Sequence, residues 1–353
     1  MTIRSLAVTI LFVAALTSCS INHANTVGGP SGALPDLAPV HPNIATFTEY
    51  PVPTASADPA GIAKGPDGNL WFTELSGNKI GRITTTGAIT EFPVPTANSG
   101  PTDIVAGSDG NLWFTEAVAD KIGRITPAGV VTEFALRVSG TNCFNLINPP
   151  FPGVYIGPVF IANGPNGKLW FTYCRANKVG RISTTGRITL FKIPTASSYP
   201  LGITKGPDNN IWFTEGLAEK IGRSTPKGAI TEFTVPLSGS EPFGIATGAD
   251  GNLWFDDASH NLIWQMTTGG AFAAFTVPST NGGLLFIAKG LNGKMWFDLQ
   301  NDDRIGSIST STHAIKEYTV PTPASQPLDI VIGPDNNIWF CELAGNKIGK
   351  LTL

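Results

Sequence analysis

The sequence predicts an all-β protein, a seven-bladed β-propeller of four-stranded antiparallel blades. The first observation behind this prediction is a Trp-Phe pair that recurs seven times, beginning at Trp71, Trp113, Trp170, Trp212, Trp254, Trp296 and Trp339. The pairs are spaced by 42, 57, 42, 42, 42 and 43 residues, and a period of this size is typical of a repeat array. Each copy also holds four short β-type segments, and the two ends of the array are complementary fragments of one unit.

One repeat shows where the strands lie. The four predicted strands of the first complete copy are 61–64, 69–74, 79–84 and 88–94. Their residues are mostly β-branched or aromatic, whereas the turns between them contain Gly, Pro, Asp and Asn. No apolar segment of useful length with the helical period of about 3.6 residues follows the N-terminal region. Four antiparallel strands repeated at about 42 residues are typical of a propeller blade.

The ends of the array predict how the ring closes. Residues 46–53 match the fourth strand of a unit, as at 90–95, but no first three strands precede them. The C-terminal residues 347–353 form a third strand with no fourth strand after it. We therefore predict that the N-terminal strand completes the seventh blade and leaves no exposed sheet edge. The alternative is an open β-array, in which the match between the ends would be a coincidence.

The N-terminus predicts export. Arg4 precedes the apolar run 6–16, which is too short to cross a membrane as a helix and is typical of a signal peptide. The run ends in Leu16-Thr17-Ser18-Cys19, which resembles a bacterial lipobox with Cys19 as the lipidated residue. We predict a signal peptide at 1–19, a flexible polar tether at 20–44 and the propeller at 45–353.

Localisation follows from these segments. We expect a lipoprotein of the bacterial cell envelope, facing the periplasm or the surface, that meets the membrane only through its lipid anchor. The alternative is an ordinary signal peptide with a chance Cys19, which would give a periplasmic or secreted protein. The net charge is −3 and no basic block stands out, so the sequence gives no electrostatic support for nucleic-acid binding.

Charged residues recur at fixed places in the repeat. In most copies an acid lies three residues after the Trp, and cations lie eight and eleven residues after it, as with Glu74, Lys79 and Arg82. These residues fall on neighbouring strands, so we predict that they form structural ion pairs. Asp103 and Asp329 occupy equivalent places in two innermost strands, and we expect them to make the central channel polar.

The fifth repeat departs furthest from this pattern. Asp257 keeps the acid, but Leu262 and Gln265 replace both cations. His260 follows three residues after Asp257, and Glu241 lies in the loop that enters the same blade. We expect Glu241, Asp257 and His260 to approach each other at one rim. Oxygen ligands without a nearby cation suit magnesium, with calcium as the alternative, whereas the simpler interpretation is a solvated acidic loop.

The 57-residue spacing before Trp170 marks an insertion between Arg137 and Phe160. A long loop at a propeller mouth can act as a lid or a specificity wall, and a packed decoration is the alternative. In an exported protein we predict a Cys143–Cys174 disulfide, and we expect Cys341 to be a lone buried thiol.

The repeat resembles the virginiamycin B lyase (streptogramin B lyase) family. The motifs are Gly-Pro-Asp-Gly-Asn-Leu-Trp-Phe-Thr-Glu at 65–74, Asn-Lys-Ile-Gly-Arg-Ile-Thr at 78–84, and then Thr-Gly-x-Ile-Thr-Glu-Phe. The resemblance covers about residues 45–353 and implies a seven-bladed monomer. It implies a magnesium-dependent carbon–oxygen lyase that opens a cyclic depsipeptide by elimination at an ester, with a His as general base.

Carried onto this chain, the family pattern places Glu241 and Asp257 at the metal and Phe243 where the base should be. His260 is then the candidate catalytic proton acceptor, and we predict substrate contacts from Phe243, Asp256 and Tyr173. Two hypotheses follow. One is a metal-dependent lyase, or a lactone-type hydrolase. The other is a non-catalytic propeller that binds a small molecule, peptide or protein at its mouth. A gluconolactonase-like propeller is a weaker third option.

Overall fold

The structure is a computed structural model that describes residues 45–136 and 157–353. The chain divides into two units, 1–42 and 43–353, and all described residues belong to the second. In them, 28 strands form seven four-stranded antiparallel sheets, so the predicted all-β propeller is confirmed. No helix within the described ranges is long and apolar enough to cross a membrane.

The blades are numbered along the chain, and each is given from its innermost strand outward. Blade one contains β2 (Pro59–Lys64), β3 (Leu70–Glu74), β4 (Lys79–Ile83) and β5 (Ile89–Pro93). Blade two contains β6 (Pro101–Ala106), β7 (Leu112–Glu116), β8 (Lys121–Ile125) and β9 (Val131–Ala135). Blade three contains β10 (Pro158–Asn163), β11 (Leu169–Tyr173), β12 (Lys178–Ile182) and β13 (Ile188–Lys192). Blade four contains β14 (Pro200–Lys205), β15 (Ile211–Glu215), β16 (Lys220–Ser224) and β17 (Ile230–Thr234).

The remaining blades follow the same plan. Blade five contains β18 (Pro242–Thr247), β19 (Leu253–Asp257), β20 (Leu262–Met266) and β21 (Phe272–Thr276). Blade six contains β22 (Ile287–Lys289), β23 (Lys294–Leu299), β24 (Arg304–Ser309) and β25 (Ile315–Thr319). Blade seven contains β26 (Pro327–Ile332), β27 (Ile338–Glu342), β28 (Lys347–Thr352) and β1 (Thr46–Pro51). Three single 3-10 turns lie at Pro165–Gly167, Gly216–Ala218 and Gln300–Asp302.

Ring closure occurs as the sequence predicts. Strand β1 pairs antiparallel with β28, with Thr46 opposite Thr352 and Pro51 opposite Lys347. The two ends of the chain therefore complete one sheet, and no blade is left with three strands. Because neighbouring strands are antiparallel, the loops that enter each blade and those between its second and third strands lie on one face, called here the entry face. The other two turns of each blade lie on the opposite face, called here the turn face.

The Trp-Phe pair is the packing unit of each blade. In blade one the Trp71 indole stacks on Phe92 at 5.5 Å, and the Arg82 guanidinium lies 5.6 Å from both rings. Phe72 lies over Gly81, where a Cβ atom would overlap its ring, so the third strand of blade one requires glycine at this position. Both side chains are buried in the core of the blade, so the pair recurs in every blade because it packs the core.

The predicted ion pairs between the second and third strands are wrong. Lys79 pairs instead with Glu91 of the fourth strand, at 2.8 Å, and its Nζ also donates to the Thr54 hydroxyl. Glu74 lies buried beside this cluster rather than in a salt bridge. The Glu91 carboxylate on the fourth strand stays partly solvated, whereas Glu74 is fully buried. Lys79 pairs with Glu91 because that ion pair costs less desolvation.

The buried glutamates at the ends of the second strands predict that the fold loses stability as the pH rises above about 5. Burial, followed by the charge of a fourth-strand glutamate, raises the pKa of Glu74 to about 7 and the pKa values of Glu116, Glu215 and Glu342 to about 8. A raised folded-state pKa gives stability that is complete below the unfolded pKa and is lost as pH rises through the folded value. Each retained proton contributes a slope of about 1.4 kcal/mol per pH unit over that window.

We therefore expect the free energy of unfolding in urea to fall between about pH 5 and pH 8. Glu116→Gln keeps the neutral shape and removes one titration, so its pH slope should be shallower than that of the wild-type protein. An unchanged slope in Glu116→Gln would show that this carboxyl is ionised in the folded protein at all these pH values.

Candidate functional site

The sequence singles out the entry face of blade five, and strand register brings its residues together. Asp257 ends β19 and lies opposite both Pro242, which begins β18, and Leu262, which begins β20. The amide of Ala258 donates to the carbonyl of Glu241 at 3.1 Å, which ties the entering loop to the end of β19. The predicted approach of Glu241, Asp257 and His260 is therefore present in the backbone geometry.

Asp257 and His260 form a carboxylate–imidazole pair. His260 Nδ1 lies 3.3 Å from both oxygens of Asp257, whose side chain is fully buried while that of His260 is 31% exposed. When Nδ1 carries the proton and donates it to this hydrogen bond, Nε2 becomes the proton acceptor. A buried carboxylate that orients a half-exposed His is an arrangement suited to general-base chemistry.

Asp257 also accepts from other groups. The amides of Glu241 and His260 point at Oδ1, at 3.1 and 3.3 Å, and the indole Nε1 of Trp264 lies 3.3 Å from Oδ2. Trp264 is not among the site residues predicted from the sequence, although its position two residues after Leu262 places it on the strand beside Asp257. Both carboxylate oxygens are thus occupied by N–H donors inside the protein.

The geometry gives no support to a metal cage at this rim. A magnesium ion needs about six oxygen ligands with free lone pairs. Asp257 is enclosed by its N–H donors, whereas the Glu241 residue is exposed. Throughout residues 45–136 and 157–353, no group of three or more His, Cys, Asp or Glu side chains is placed to hold a metal. Magnesium, or calcium, at Glu241 and Asp257 stays a prediction, and no chemical step is assigned to it.

Two predicted substrate contacts lie in the interior. Asp256 and Tyr173 are both fully buried. The amide of Gly244 lies 3.1 Å from each Asp256 oxygen, so this acid takes the place that a Thr fills in other blades. Burial, followed by the charge of Asp298, raises the pKa of Asp256 well above its usual range. Neither side chain is exposed at the mouth in this structure.

Phe243 lies in a cluster of three phenyl rings, called here the phenyl floor. Its ring centroid is 5.7 Å from that of Phe160 and 6.1 Å from that of Phe286, and the latter two are 5.4 Å apart. Blades three and five are not neighbours, so Phe160 and Phe243 meet across the central channel. The floor therefore gives the channel an apolar lining at this level. The sequence signal is a Phe at 160 and 286, where all five other copies have Gly or Asp.

Asp103 and Asp329 join neighbouring blades. Asp103 Oδ2 accepts from the amide of Ile161 in blade three at 2.8 Å, and Asp329 Oδ2 accepts from that of Ile62 in blade one at 2.8 Å. Burial raises the pKa of Asp103 to about 7, and burial together with the charge of Asp103 raises that of Asp329 well above its usual range. The predicted polar pair thus stabilises contacts between blades.

The cysteines are described in part. Cys341 is free and buried, as predicted. Cys174 is disulfide-bonded. Its predicted partner Cys143 and the lipidation candidate Cys19 lie outside the described residues, as does most of the insertion before Phe160. The Cys143–Cys174 pairing therefore stays a prediction.

Comparison with known proteins decides the family. The sequence model of the Virginiamycin B lyase family matches residues 43–237 and 148–353. The chain belongs to this family. Its structure is similar to that of selenomethionine-substituted virginiamycin B lyase from Staphylococcus aureus, with 37% identity and a TM-score of 0.79, covering 88% of this chain and 100% of that one.

Two further relatives bear on function. A catalytically inactive His-to-Ala variant of virginiamycin B lyase from Staphylococcus aureus, described with quinupristin, has 35% identity and a TM-score of 0.79, covering 88% of this chain and all of that one. Virginiamycin B lyase from Bacillus licheniformis is 46% identical over 43 residues. That match spans 12% of this chain and 15% of the relative.

Within the virginiamycin B lyase family fold, the Asp257 contacts predict a stability effect. Asp257→Ala removes an acceptor that faces several buried N–H groups, so we expect the free energy of unfolding to fall by about 2–4 kcal/mol. His260→Ala is the matched control, because it leaves the other donors satisfied, and it should change stability by less than about 1 kcal/mol. Urea denaturation followed by Trp fluorescence measures both. Similar losses in the two variants would contradict a central role for Asp257.

Proposed function

We propose that this member of the virginiamycin B lyase family is a binding propeller that holds a small cyclic or peptide ligand on its entry face and does not perform the family's elimination. The observation that carries the proposal is Phe243, a buried phenyl group that packs on Phe160 and Phe286. The resemblance of the motifs predicts a proton-accepting His at this position.

The chemistry supports this proposal. An elimination needs a base within hydrogen-bond distance of the proton that it removes. Phe243 has no titratable atom, and the rings around it add none. An apolar floor suits an aromatic or aliphatic group of a ligand. The inactive relative lacks one His and is nevertheless described with quinupristin, which supports binding without turnover as a property available to this fold.

A carbon–oxygen lyase that uses a different base is the second candidate. The Asp257–His260 contact favours it, because it supplies an oriented imidazole at the same face. In this alternative His260 Nε2 would remove the substrate proton. The two candidates differ in one respect that can be measured, since only the second requires His260 for product formation.

We also propose that the protein acts in the cell envelope as a monomer, held to the membrane only through lipid on Cys19. The supporting observations are the apolar run 6–16 and the Leu16-Thr17-Ser18-Cys19 sequence. Loss of membrane-associated protein in Cys19→Ser, with the protein recovered in soluble form, is the expected result of fractionation. Unchanged membrane association would contradict lipidation at this residue.

Ring opening tests the main proposal. The purified chain is incubated with a streptogramin B and magnesium, with and without a chelator, and ring opening is measured by mass spectrometry. We expect no linearisation. Linearisation that disappears in His260→Ala would support the second candidate and overturn the first. Linearisation that persists in His260→Ala would contradict both.

Binding is tested separately by titration calorimetry with the same streptogramin B. Phe243→Ala should weaken binding about tenfold or more, because loss of the ring removes the packing partner that holds Phe160 and Phe286 in the apolar floor. Val130→Ala is the matched control, since Val130 is exposed and lies on the turn face. No measurable binding by the wild-type protein would overturn this choice of ligand class, and equal affinities of wild type and Phe243→Ala would exclude the floor as its site.

A further inference from the structure

Blade three lacks an interaction that five other blades share. In those blades the repeat Trp donates its indole N–H to an Asp in the turn between the first and second strands. The pairs are Trp71–Asp67 at 3.0 Å, Trp113–Asp109 at 3.1 Å, Trp212–Asp208 at 3.0 Å, Trp254–Asp250 at 3.2 Å and Trp339–Asp335 at 2.9 Å. Blade three has Asn166 in place of the Asp. Trp170 is 1% exposed, and its buried Nε1 has no hydrogen-bond partner among the described residues.

The Trp170 indole nevertheless keeps the usual orientation. A Cβ atom built on Gly164 would lie 2.5 Å from Trp170 Nε1, and one built on Gly65 would lie 2.6 Å from Trp71 Nε1. The indole N–H of blade three therefore points toward the place where the other blades put a carboxylate. A buried donor without an acceptor is costly, so blade three lacks both the acceptor and the negative charge that the turns of five other blades supply.

Positive charge has been added around the same place. Lys168 replaces the Asn found in five other copies, and Arg187, just before the fourth strand, stands where five other copies have Ala or Val. Arg181 keeps the position of Arg82, which in blade one lies 3.9 Å from the Asp67 carboxylate. Blade three has therefore lost one negative charge and gained two positive charges. None of these three cations takes part in a salt bridge between described residues.

These residues surround a pocket on the turn face. It has a volume of about 170 Å³ and is lined by Lys168, Arg181, Ser183, Arg187 and Thr189. Arg181 is held in place, because its Nη1 donates to the carbonyl of Pro226 in blade four and its guanidinium lies 5.3 Å from the Phe191 ring. A planar guanidinium has five N–H donors, so others remain for a ligand.

We propose that this pocket binds a tetrahedral oxyanion, phosphate or sulfate, either free or as a group on a larger ligand. The anion compensates for the missing aspartate charge, with Lys168, Arg181 and Arg187 supplying positive charge and the Ser183 and Thr189 hydroxyls lining the site. This site lies on the face opposite Phe243 and is independent of the function proposed there.

Blade six supplies a natural comparison. It has Asn292 and Lys294 at the same two turn positions, but Ser307 replaces the arginine and Ala314 stands where Arg187 would be. Lys294 Nζ lies 5.8 Å from the centre of the Trp296 ring. The same change of turn residues in blade six therefore brings only one cation. Blade three differs because it has Lys168, Arg181 and Arg187 together.

The test measures the Tm of the purified chain and its affinity for inorganic phosphate, by thermal unfolding and titration calorimetry. Chloride at equal ionic strength is the control, because it keeps the screening of charges the same. We expect a saturable rise in Tm with phosphate and with sulfate. Asn166→Asp, which restores the internal carboxylate, and Arg187→Ala should each weaken phosphate binding at least tenfold. Lys294→Asn in blade six is the matched control and should bind as wild type does.

Two results would overturn the proposal. One is the absence of a saturable response to phosphate and sulfate, and the other is the same response in wild type and Asn166→Asp. The source of the anion is separated by a second arm with phosphatidylglycerol vesicles and phosphatidylcholine vesicles as control. Binding to the anionic vesicles that exceeds binding to inorganic phosphate and is lost in Arg187→Ala assigns the site to a lipid headgroup. The reverse order assigns it to a soluble ion.

Discussion

The structure depends on hydrogen bonds that join the second strand of one blade to the innermost strand of the next. In blade one, Thr73 accepts from the Gly61 amide at 2.8 Å and donates to the Thr102 carbonyl of blade two at 2.9 Å. The same hydroxyl position in blade four contacts the Phe243 carbonyl at 2.6 Å. Because these bonds are buried, they act in a low dielectric and fix how closely the innermost strands approach the axis.

In blades five and six an acid occupies the threonine position and holds the innermost strand of its own blade. Asp256 and Asp298 replace the threonine, and Asp298 Oδ1 accepts from the Leu285 and Phe286 amides at 3.1 and 2.8 Å. Burial raises the pKa of Asp298 to about 7. These acids hold the backbone next to the phenyl floor, so residues that resemble catalytic carboxylates in the sequence act as positioning groups inside the ring. The half-exposed imidazole of His260 is a separate feature at the rim.

Sequence reasoning predicted more of the fold than of the site. The period of the Trp-Phe pairs and the complementary ends were enough for seven blades and for the β1–β28 closure, because both are properties of local sequence. The grouping of Asp257 with His260 followed from loop position alone. The phenyl floor was missed because its rings come from blades three, five and six, and blade three is adjacent to neither of the other two. The partner of Lys79 was wrong because two carboxylates compete for it, and only their burial decides which one pairs.

The sequence by itself determined the fold class, the number of blades and the places where a repeat departs from the others, since each is written in a pattern of fixed period. The tertiary structure decided which departures lie together and which are buried. It placed Asp256 and Tyr173 in the interior, enclosed Asp257 among N–H donors, and assembled the basic pocket of blade three from two turns and two strands. The physical reason is that desolvation and contact across the ring depend on its closed curvature, which no single repeat contains.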